Sequence, residues 1–184
     1  MKIIIMRHAK VDIKKRKIYA NELKSVVEEY DQAPIEEHIE NYSELIELTD
    51  EVDFFVSSGL RRSIDSLALL GREADEIDEL FVELESPYPK QKIIKLPLYT
   101  WGFGLKLVWR LGYTGGSRSY IESKEDALKG AIKLEAFAKQ HGTVLLLGHG
   151  LKNMMIVKAL KRRGWGEKKR MSLKNWGFGV YEKS

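Results

Sequence analysis

The chain has 184 residues, 43% of them hydrophobic and 32% charged, and its formal net charge is +4 at pH 7. These values fit one globular domain spanning residues 1–184, and the apolar stretches are too short to cross a bilayer. The sequence contains no cysteine, which excludes disulfides, thiolate catalysis and sulfur-based zinc sites, and its four histidines lack the spacing of metal ligands.

Strand and helix patterns alternate along the chain. The elements predicted first are a strand over 2–7, a charged and partly helical segment over 12–34 ending in a turn at 31–34, a helix from Ile35 to about Leu48, a strand over 54–56, a helix over 60–70 and an extended segment over 92–98 closed by Pro97. Those that follow are a helix over 122–139, a strand over 143–147, a helix over 151–163 and a strand over 176–181. The alternation predicts an α/β fold with a largely parallel sheet.

Two histidines directly follow predicted strands. Arg7 and His8 leave the C-terminal end of the first apolar run, and His149, flanked by glycines, leaves the run at 143–147. Open α/β sheets bind ligands beyond the carboxyl ends of their strands. A guanidinium offers a planar fork of donors to phosphate oxygens, and a neutral imidazole can attack phosphorus. The pairing therefore indicates a phosphate site, whereas either histidine alone is equally compatible with a structural role.

A third segment, from Ser57 to Arg62, joins a predicted strand to a predicted helix. Small residues at such a turn leave amide donors and the positive end of the helix dipole free to bind an anion. Arg61 and Arg62 lie in the first helical turn, where their charge opposes the dipole. An anionic ligand explains them better than helix stability does, and the alternative is a pair of surface arginines.

These three segments together resemble the histidine phosphatase superfamily, also called phosphoglycerate mutase-like. The matching residues are Arg7-His8, the turn 58–63, which resembles the family's Ser-Pro-x-x-Arg-Ala turn, and Gly-His-Gly at 148–150. Their order and spacing agree over most of the chain. The resemblance implies a three-layer α/β sandwich with a mostly parallel central sheet.

The resemblance also implies a role for each matching side chain. His8 is similar to the family nucleophile that becomes phosphorylated, and Arg7, Arg62 and His149 are similar to the residues that bind the transferring phosphoryl group. Arg62 matches the family arginine better than Arg61 does, because it precedes the small residue of the turn. His149 is accordingly expected to act in both catalysis and phosphate binding. The reaction is expected to require no metal ion and no cofactor.

The sequence departs from the family pattern at two positions, and the proton donor is open. Ala9 stands where the family has glycine, and Gly59 stands where it has proline. Both are small residues, and glycine is readily accommodated in a turn. The resemblance places an acid some twenty or more residues after the second arginine, where Glu83 fits best and Glu85 is the alternative. Either glutamate is also compatible with a solvated acidic surface.

We therefore expect a metal-independent phosphatase of the histidine acid phosphatase type, which hydrolyses a phosphomonoester through phosphohistidine on His8. The expected partner is a small phosphorylated metabolite or a phosphorylated protein, with inorganic phosphate as product. The alternatives are a phosphohistidine phosphatase, a phosphoglycerate mutase-type phosphotransferase and a non-catalytic module that binds phosphate or nucleic acid. Because the chain stops soon after its last predicted strand, without the covering sequence of the mutase members, hydrolysis is favoured over mutase activity.

Residues 99–121 are expected to form a cap insertion that faces the substrate, and the alternative is a small aromatic core of their own. The aromatic residues in this segment are Tyr99, Trp101, Phe103, Trp109 and Tyr113. The basic clusters at 14–17, 161–163 and 168–170 lack a nucleic-acid-binding signature and are interpreted as solvated surface. The sequence shows no signal-peptide pattern and no membrane segment, so a cytoplasmic location is expected.

Overall fold

The computed structural model describes residues 1–14, 16–85 and 87–184, with all of their side chains except that of Tyr99. The strands are β1 (Lys2–Arg7), β2 (Lys17–Ile18), β3 (Phe54–Ser57), β4 (Glu76–Ile77), β5 (Leu96–Pro97), β6 (Thr143–Gly148), β7 (Gly166–Lys169) and β8 (Phe178–Glu182). The helices are α1 (Leu23–Gln32), α2 (Tyr42–Asp50), α3 (Arg61–Leu69), α4 (Leu98–Arg110), α5 (Tyr120–His141) and α6 (Gly150–Arg162). Within the described ranges, no helix has both the length and the apolar character needed to cross a membrane.

Six strands form one sheet in the order β4-β3-β6-β1-β8-β7. The strands β4, β3, β6 and β1 run parallel, and β8 is antiparallel to both of its neighbours. In the register of β1 with β6, Arg7 lies opposite Gly148. The carboxyl ends of β3, β6 and β1 therefore lie side by side at one edge of the sheet.

The side chains of β1 alternate between two hydrophobic cores on opposite faces of the sheet. Ile3 and Ile5 pack in the core built with α5 and α6, whereas Ile4 and Met6 pack in the core built with α2 and α3. All four side chains are fully buried. The structure thus confirms the predicted three-layer α/β sandwich with a mostly parallel central sheet.

Two predicted boundaries between residues 31 and 48 are wrong. The predicted helix begins at Tyr42 instead of Ile35, because Ile35 forms an isolated antiparallel bridge with Val11. The turn predicted over 31–34 was placed too early, because α1 continues through Gln32 and the chain turns only after it. In both places contacts beyond the local sequence determine the backbone.

The later part of the chain also contains elements that the sequence pattern does not predict. The extended segment predicted over 92–98 is a strand only at β5, where Pro97 pairs with β2, and α4 starts at the next residue. The strands β4 and β7 and the helix α4 were not predicted. The last strand begins at Phe178 instead of Trp176, since Trp176 has a positive φ of 60° and turns the chain into β8.

The segment 99–121 contains both packed aromatic residues and exposed ones, so it stays a candidate cap. Trp101 and Trp109 are part of the packed interior: their ring nitrogens donate to the carbonyls of Ile18 (3.0 Å) and Arg118 (2.7 Å). Phe103 is 77% exposed and, together with Trp109, lines a cavity near the strand ends. Tyr113 is exposed, and the prediction for Tyr99 concerns a side chain outside the described part of the structure.

The three basic clusters are exposed at every position that the structure describes, as predicted. Lys15 of the first cluster lies outside the described residues. Within the same cluster, Arg16 forms an ion pair with Glu29 at 2.5 Å, which ties the segment before β2 to α1.

Candidate active site

The predicted histidines meet where the parallel strands end. His8 follows β1 and His149 follows β6, and their ring centroids are 5.2 Å apart. The amide of His8 donates to the carbonyl of Gly148 at 3.1 Å, which continues the strand pairing one residue beyond β1. Both imidazoles are buried, with 3% and 0% exposure. The structure therefore places them in one desolvated site.

The hydrogen bonding of His8 determines which of its ring nitrogens is free. Nδ1 lies 2.6 Å from the carbonyl oxygen of Ala9, which can only accept, so Nδ1 carries the proton. Burial, reinforced by the neighbouring Arg62 guanidinium, lowers the pKa of His8 from 6.5 to about 3. The ring is therefore neutral at physiological pH, with an unprotonated Nε2. This is the form that a nucleophilic histidine requires.

The peptide groups beside His8 are held from two directions. The side-chain amide of Asn175 donates to the carbonyls of His8 (3.0 Å) and Ala9 (3.1 Å). From the other side, the amide of Ala9 donates to Ser66 Oγ at 2.9 Å. Asn175 therefore fixes the carbonyl that orients the His8 ring. Sequence reasoning missed Asn175, because nothing in the local pattern shows that the turn before β8 returns to β1.

His149 is neutral and has partners on both ring nitrogens. Nδ1 accepts from Arg62 Nε at 3.3 Å, so Nε2 carries the proton and donates to Ser58 Oγ at 2.7 Å. Burial, with Arg62 as the next cause, lowers the pKa of His149 well below 6.5. A phosphoryl oxygen that binds His149 must therefore exchange with one of these two partners.

Arg62 projects from the start of α3 into the site and is only 3% exposed. Its Nη1 pairs with Asp31 at 2.5 Å, and its guanidinium carbon lies 5.1 Å from the centroid of the Tyr30 ring. Nη2 has no hydrogen-bond partner among the described residues. Arg61, in contrast, is exposed and pairs with Asp65 at 3.2 Å. The structure thus brings Arg62, and not Arg61, to the two histidines.

Arg7 has an unsatisfied donor. Its Nη1 donates to the carbonyl of Leu173, but its buried Nε has no hydrogen-bond partner among the residues that the structure describes. A Cβ on Gly150 would lie 3.6 Å from this nitrogen, so Arg7 lies against the start of α6. Because buried donors are nearly always paired in native proteins, this nitrogen requires an acceptor from outside the chain, either a water molecule or a ligand.

Glu83 lies at the N-terminus of α6. Its carboxylate accepts from the amides of Leu151 (3.4 Å) and Lys152 (3.1 Å), as an acidic group at a helix N-terminus does. Glu83 also lines a cavity of about 440 Å³ together with Arg7, whereas Glu85 is exposed. Of the two predicted acids, the structure thus brings Glu83 to the site, and in this state its oxygens bond to the helix.

Asn153 connects the two histidine-bearing strands. Its amide donates to the carbonyl of Met6 at 2.9 Å, and its Oδ1 accepts from the amide of His149 at 3.2 Å. A Cβ on Gly148 would lie 2.5 Å from this Oδ1, so the glycine before His149 is required for the connection. Sequence reasoning missed Asn153, although an asparagine one turn after a candidate histidine, at the start of the apolar run of a predicted helix, is a recognisable signal. Tyr30 and Asp31 were also missed and have no such signal.

The neutral histidines make the stability of the fold depend on pH. The unfolded His8 takes up a proton below pH 6.5, whereas the folded one stays neutral down to about pH 3. Folding stability is therefore complete above pH 6.5 and decreases as the pH falls towards 3, by about 2 kcal/mol at pH 5 from His8 alone. We expect urea unfolding of the wild type to show this loss between pH 7 and pH 5. The His8→Gln variant is expected to lose about 2 kcal/mol less, and an equal loss in both proteins would contradict the assignment.

Comparisons with known proteins concern the fold. The sequence matches no protein-family model and no curated protein. Among solved structures, the product of open reading frame Rv3214 from Mycobacterium tuberculosis is similar with a TM-score of 0.63 and 14% identity, over 100% of this chain and 91% of that chain. YhfR from Bacillus stearothermophilus is similar with a TM-score of 0.58 and 16% identity, over 88% of this chain and 80% of that chain.

These likenesses, together with the sheet order and the strand-end site, define the class of fold. The chain has the fold of these two proteins, an α/β sandwich with a mostly parallel central sheet, which is the fold that the resemblance to the histidine phosphatase superfamily implies. The resemblance that the motifs indicate is thus confirmed at the level of the fold. Within the described part of the chain, no three His, Asp or Glu side chains cluster closely enough to hold a metal ion.

Proposed function

We propose that the protein is a phosphatase that hydrolyses a phosphomonoester through a phosphohistidine intermediate on His8, without a metal ion. The observation that carries the proposal is the buried, neutral His8, whose Nε2 is free and which lies beside the guanidinium groups of Arg62 and Arg7. A phosphoryl group fits both features, since it supplies acceptor oxygens to the guanidinium and an electrophilic phosphorus to the imidazole. The substrate is a small phosphorylated metabolite or a phosphorylated protein, and inorganic phosphate is the product.

The proposed reaction has two steps. In the first, the lone pair of His8 Nε2 attacks phosphorus, the bond from phosphorus to the leaving oxygen breaks, and that oxygen takes a proton from Glu83. In the second, the Glu83 carboxylate accepts a proton from water as the oxygen of that water attacks phosphorus, and the P–N bond breaks to release phosphate. Arg7 and Arg62 stabilise the charge on the non-bridging oxygens in both steps, in a desolvated site where such electrostatic stabilisation is strong.

Glu83 is expected to affect poor leaving groups most. Its replacement by glutamine removes the proton donor but keeps one acceptor for the α6 amides, so the fold is retained. We expect kcat/KM for alkyl phosphates, which reports the steps up to departure of the leaving group, to fall by about 10²–10⁴-fold, and kcat/KM for p-nitrophenyl phosphate to fall much less, because nitrophenolate leaves without a proton. The matched control is Glu85→Gln, since Glu85 is exposed. Equal losses of kcat/KM for both leaving groups in Glu83→Gln would contradict the acid role.

A phosphohistidine phosphatase is the second candidate, and one observation favours it. The carboxylate of Glu83 is already bonded to helix amides, and hydrolysis of a P–N bond, with its better leaving group, requires no carboxylic acid. A kcat/KM of Glu83→Gln that is unchanged on phosphohistidine peptides but lost on alkyl phosphates would identify phosphohistidine as a substrate whose cleavage does not use the acid.

The direct test of the proposed function is release of inorganic phosphate from p-nitrophenyl phosphate by the purified protein in the presence of EDTA. We expect turnover that EDTA does not reduce. Absence of turnover, together with salt-dependent binding of unrelated DNA, would instead support a non-catalytic binding module.

A further inference from the structure

A groove leads away from the candidate site along α6. The 440 Å³ cavity that contains Arg7 and Glu83 adjoins a second cavity of about 530 Å³. The two cavities share four lining residues and are therefore continuous: Arg110, Tyr120, Met155 and Lys158. Helix α6 lines the groove with one face, on which Met154, Lys158 and Arg162 follow one another at intervals of one turn.

The groove is lined by unpaired cations. The basic residues along it are Lys106, Arg110, Lys124, Lys158 and Arg162. Among the residues that the structure describes, none of these five lies within 4.0 Å of a carboxylate, whereas Lys161, on another face of α6, pairs with Glu167 at 2.9 Å. With Arg7, six cations line the two cavities, and two acids, Glu83 and Glu125, face them, so the groove carries an excess of positive charge. Like charges gathered in a concave surface repel one another and attract an anionic ligand.

The part of the groove between Arg7 and these cations is apolar. Phe103 and Leu107 project from α4 into it and are 77% and 56% exposed, and Leu173 is 50% exposed on the same cavity. Met154 of α6 completes this surface. Exposed apolar side chains that converge on one cavity are typical of a ligand pocket.

Helix α6 also sets the distance between the Arg7 end and the Lys158 end of the groove. It begins at Gly150, beside Arg7, and Lys158 follows eight residues later. At 1.5 Å of rise per residue, the cation lies about 12 Å further along the helix axis than the Arg7 end. Arg110 lines the same part of the groove from α4.

We propose that the substrate carries a second anionic group, a carboxylate or a phosphate, which binds Lys158 and Arg110 while the phosphomonoester lies at Arg7. An apolar or aromatic body connects the two anionic groups across Phe103 and Leu107. This inference rests on the proposed function and specifies the substrate class of the same site. Lys158 and Arg110 are specificity-determining residues, and they do not take part in the transfer of the phosphoryl group.

The test compares two aryl phosphates that differ only in charge at the far end, 4′-carboxybiphenyl-4-yl phosphate and its 4′-carboxamide. We expect the wild type to prefer the carboxylate by about fivefold in kcat/KM, the magnitude of two partly exposed ion pairs. The preference is expected to decrease at high salt, because exposed charges are screened. In Lys158→Gln and in Arg110→Gln the ratio of the two kcat/KM values is expected to fall towards one, and in the control Lys161→Gln it is expected to keep the wild-type value.

The outcomes separate this inference from the proposed function. If both phosphates are hydrolysed with a ratio near one in the wild type, the inference is overturned and the phosphatase stands. If neither is hydrolysed, the phosphatase proposal fails, and equilibrium dialysis of the two phosphates decides the inference. Tighter binding of the carboxylate that Lys158→Gln abolishes then supports the second anion site, and equal binding of the two compounds overturns it.

Discussion

Replacement of His8 by alanine is expected to reduce turnover of p-nitrophenyl phosphate on the order of 10⁴-fold or more, because the variant cannot form the covalent intermediate. No other described side chain is placed to take over the attack, since both nitrogens of the neighbouring His149 have partners. The measurement is steady-state kcat on purified protein, accompanied by the thermal midpoint to show that the variant folds.

The control for this variant is His38→Ala. His38 is exposed and lies outside α2, so its removal changes the histidine content without changing the site. We expect wild-type kcat in the control. A folded His8→Ala variant that kept more than a few per cent of the wild-type kcat would contradict the nucleophile assignment.

The second large effect is expected at Arg62. Glutamine at this position removes the charge that faces the phosphoryl oxygens and also the partner of Asp31. Loss of one preorganised donor to a transition-state oxyanion typically reduces kcat by about 10²–10³-fold, and we expect a reduction in this range. Steady-state kinetics on p-nitrophenyl phosphate measures it.

The chain offers a matched control in the adjacent residue. Arg61→Gln removes the same charge from the same helical turn, but Arg61 is exposed and points to Asp65. Its kcat is expected to change less than threefold, which is the scale of an exposed ion pair. Similar losses of kcat in the two variants would show that the overall positive charge of this helical turn, and not the buried Arg62 guanidinium, causes the effect.

The residues of the site that sequence reasoning found share one property: each lies within a few residues of a strand end. The apolar runs before His8 and His149 predict parallel strands, and parallel neighbours bring their carboxyl ends together. Arg61 and Arg62 were both singled out because a positive charge in the first turn of a helix is unfavourable without a ligand or a partner. Local pattern and the general geometry of α/β sheets were enough for the histidines, whereas the choice of Arg62 and of Glu83 required the family resemblance.

The supporting residues could not be found in the same way. Asp31 reaches Arg62 from α1, and Asn175 reaches the His8 and Ala9 carbonyls from the turn before β8. Both contacts depend on how distant segments pack, and neither residue stands out in its own segment. The same reason explains why the predicted start of α2 at Ile35 was wrong. Ile35 pairs with Val11, a residue distant in sequence, and this contact does not show in the local pattern.

The functions of Glu83 and of the segment 99–121 were left between alternatives by the sequence, and the structure shows why. Glu83 is both a helix-capping carboxylate and a lining residue of the cavity that contains Arg7. In helix α4, Trp109 is buried and Phe103 is exposed, yet both line that cavity. A residue or helix with two roles gives a pattern that is compatible with both.

The measurement that tests the central claim most directly is identification of the phosphorylated residue during turnover. Wild-type protein is mixed with p-nitrophenyl phosphate, quenched in alkali or denaturant within milliseconds, digested at neutral to alkaline pH and analysed by mass spectrometry, since phosphohistidine is labile in acid. We expect a phosphoryl group on His8 that is absent in the His8→Ala variant. A phosphoryl group on another residue, or continued hydrolysis by the wild type with no phosphorylated His8 at any quench time, would contradict the account.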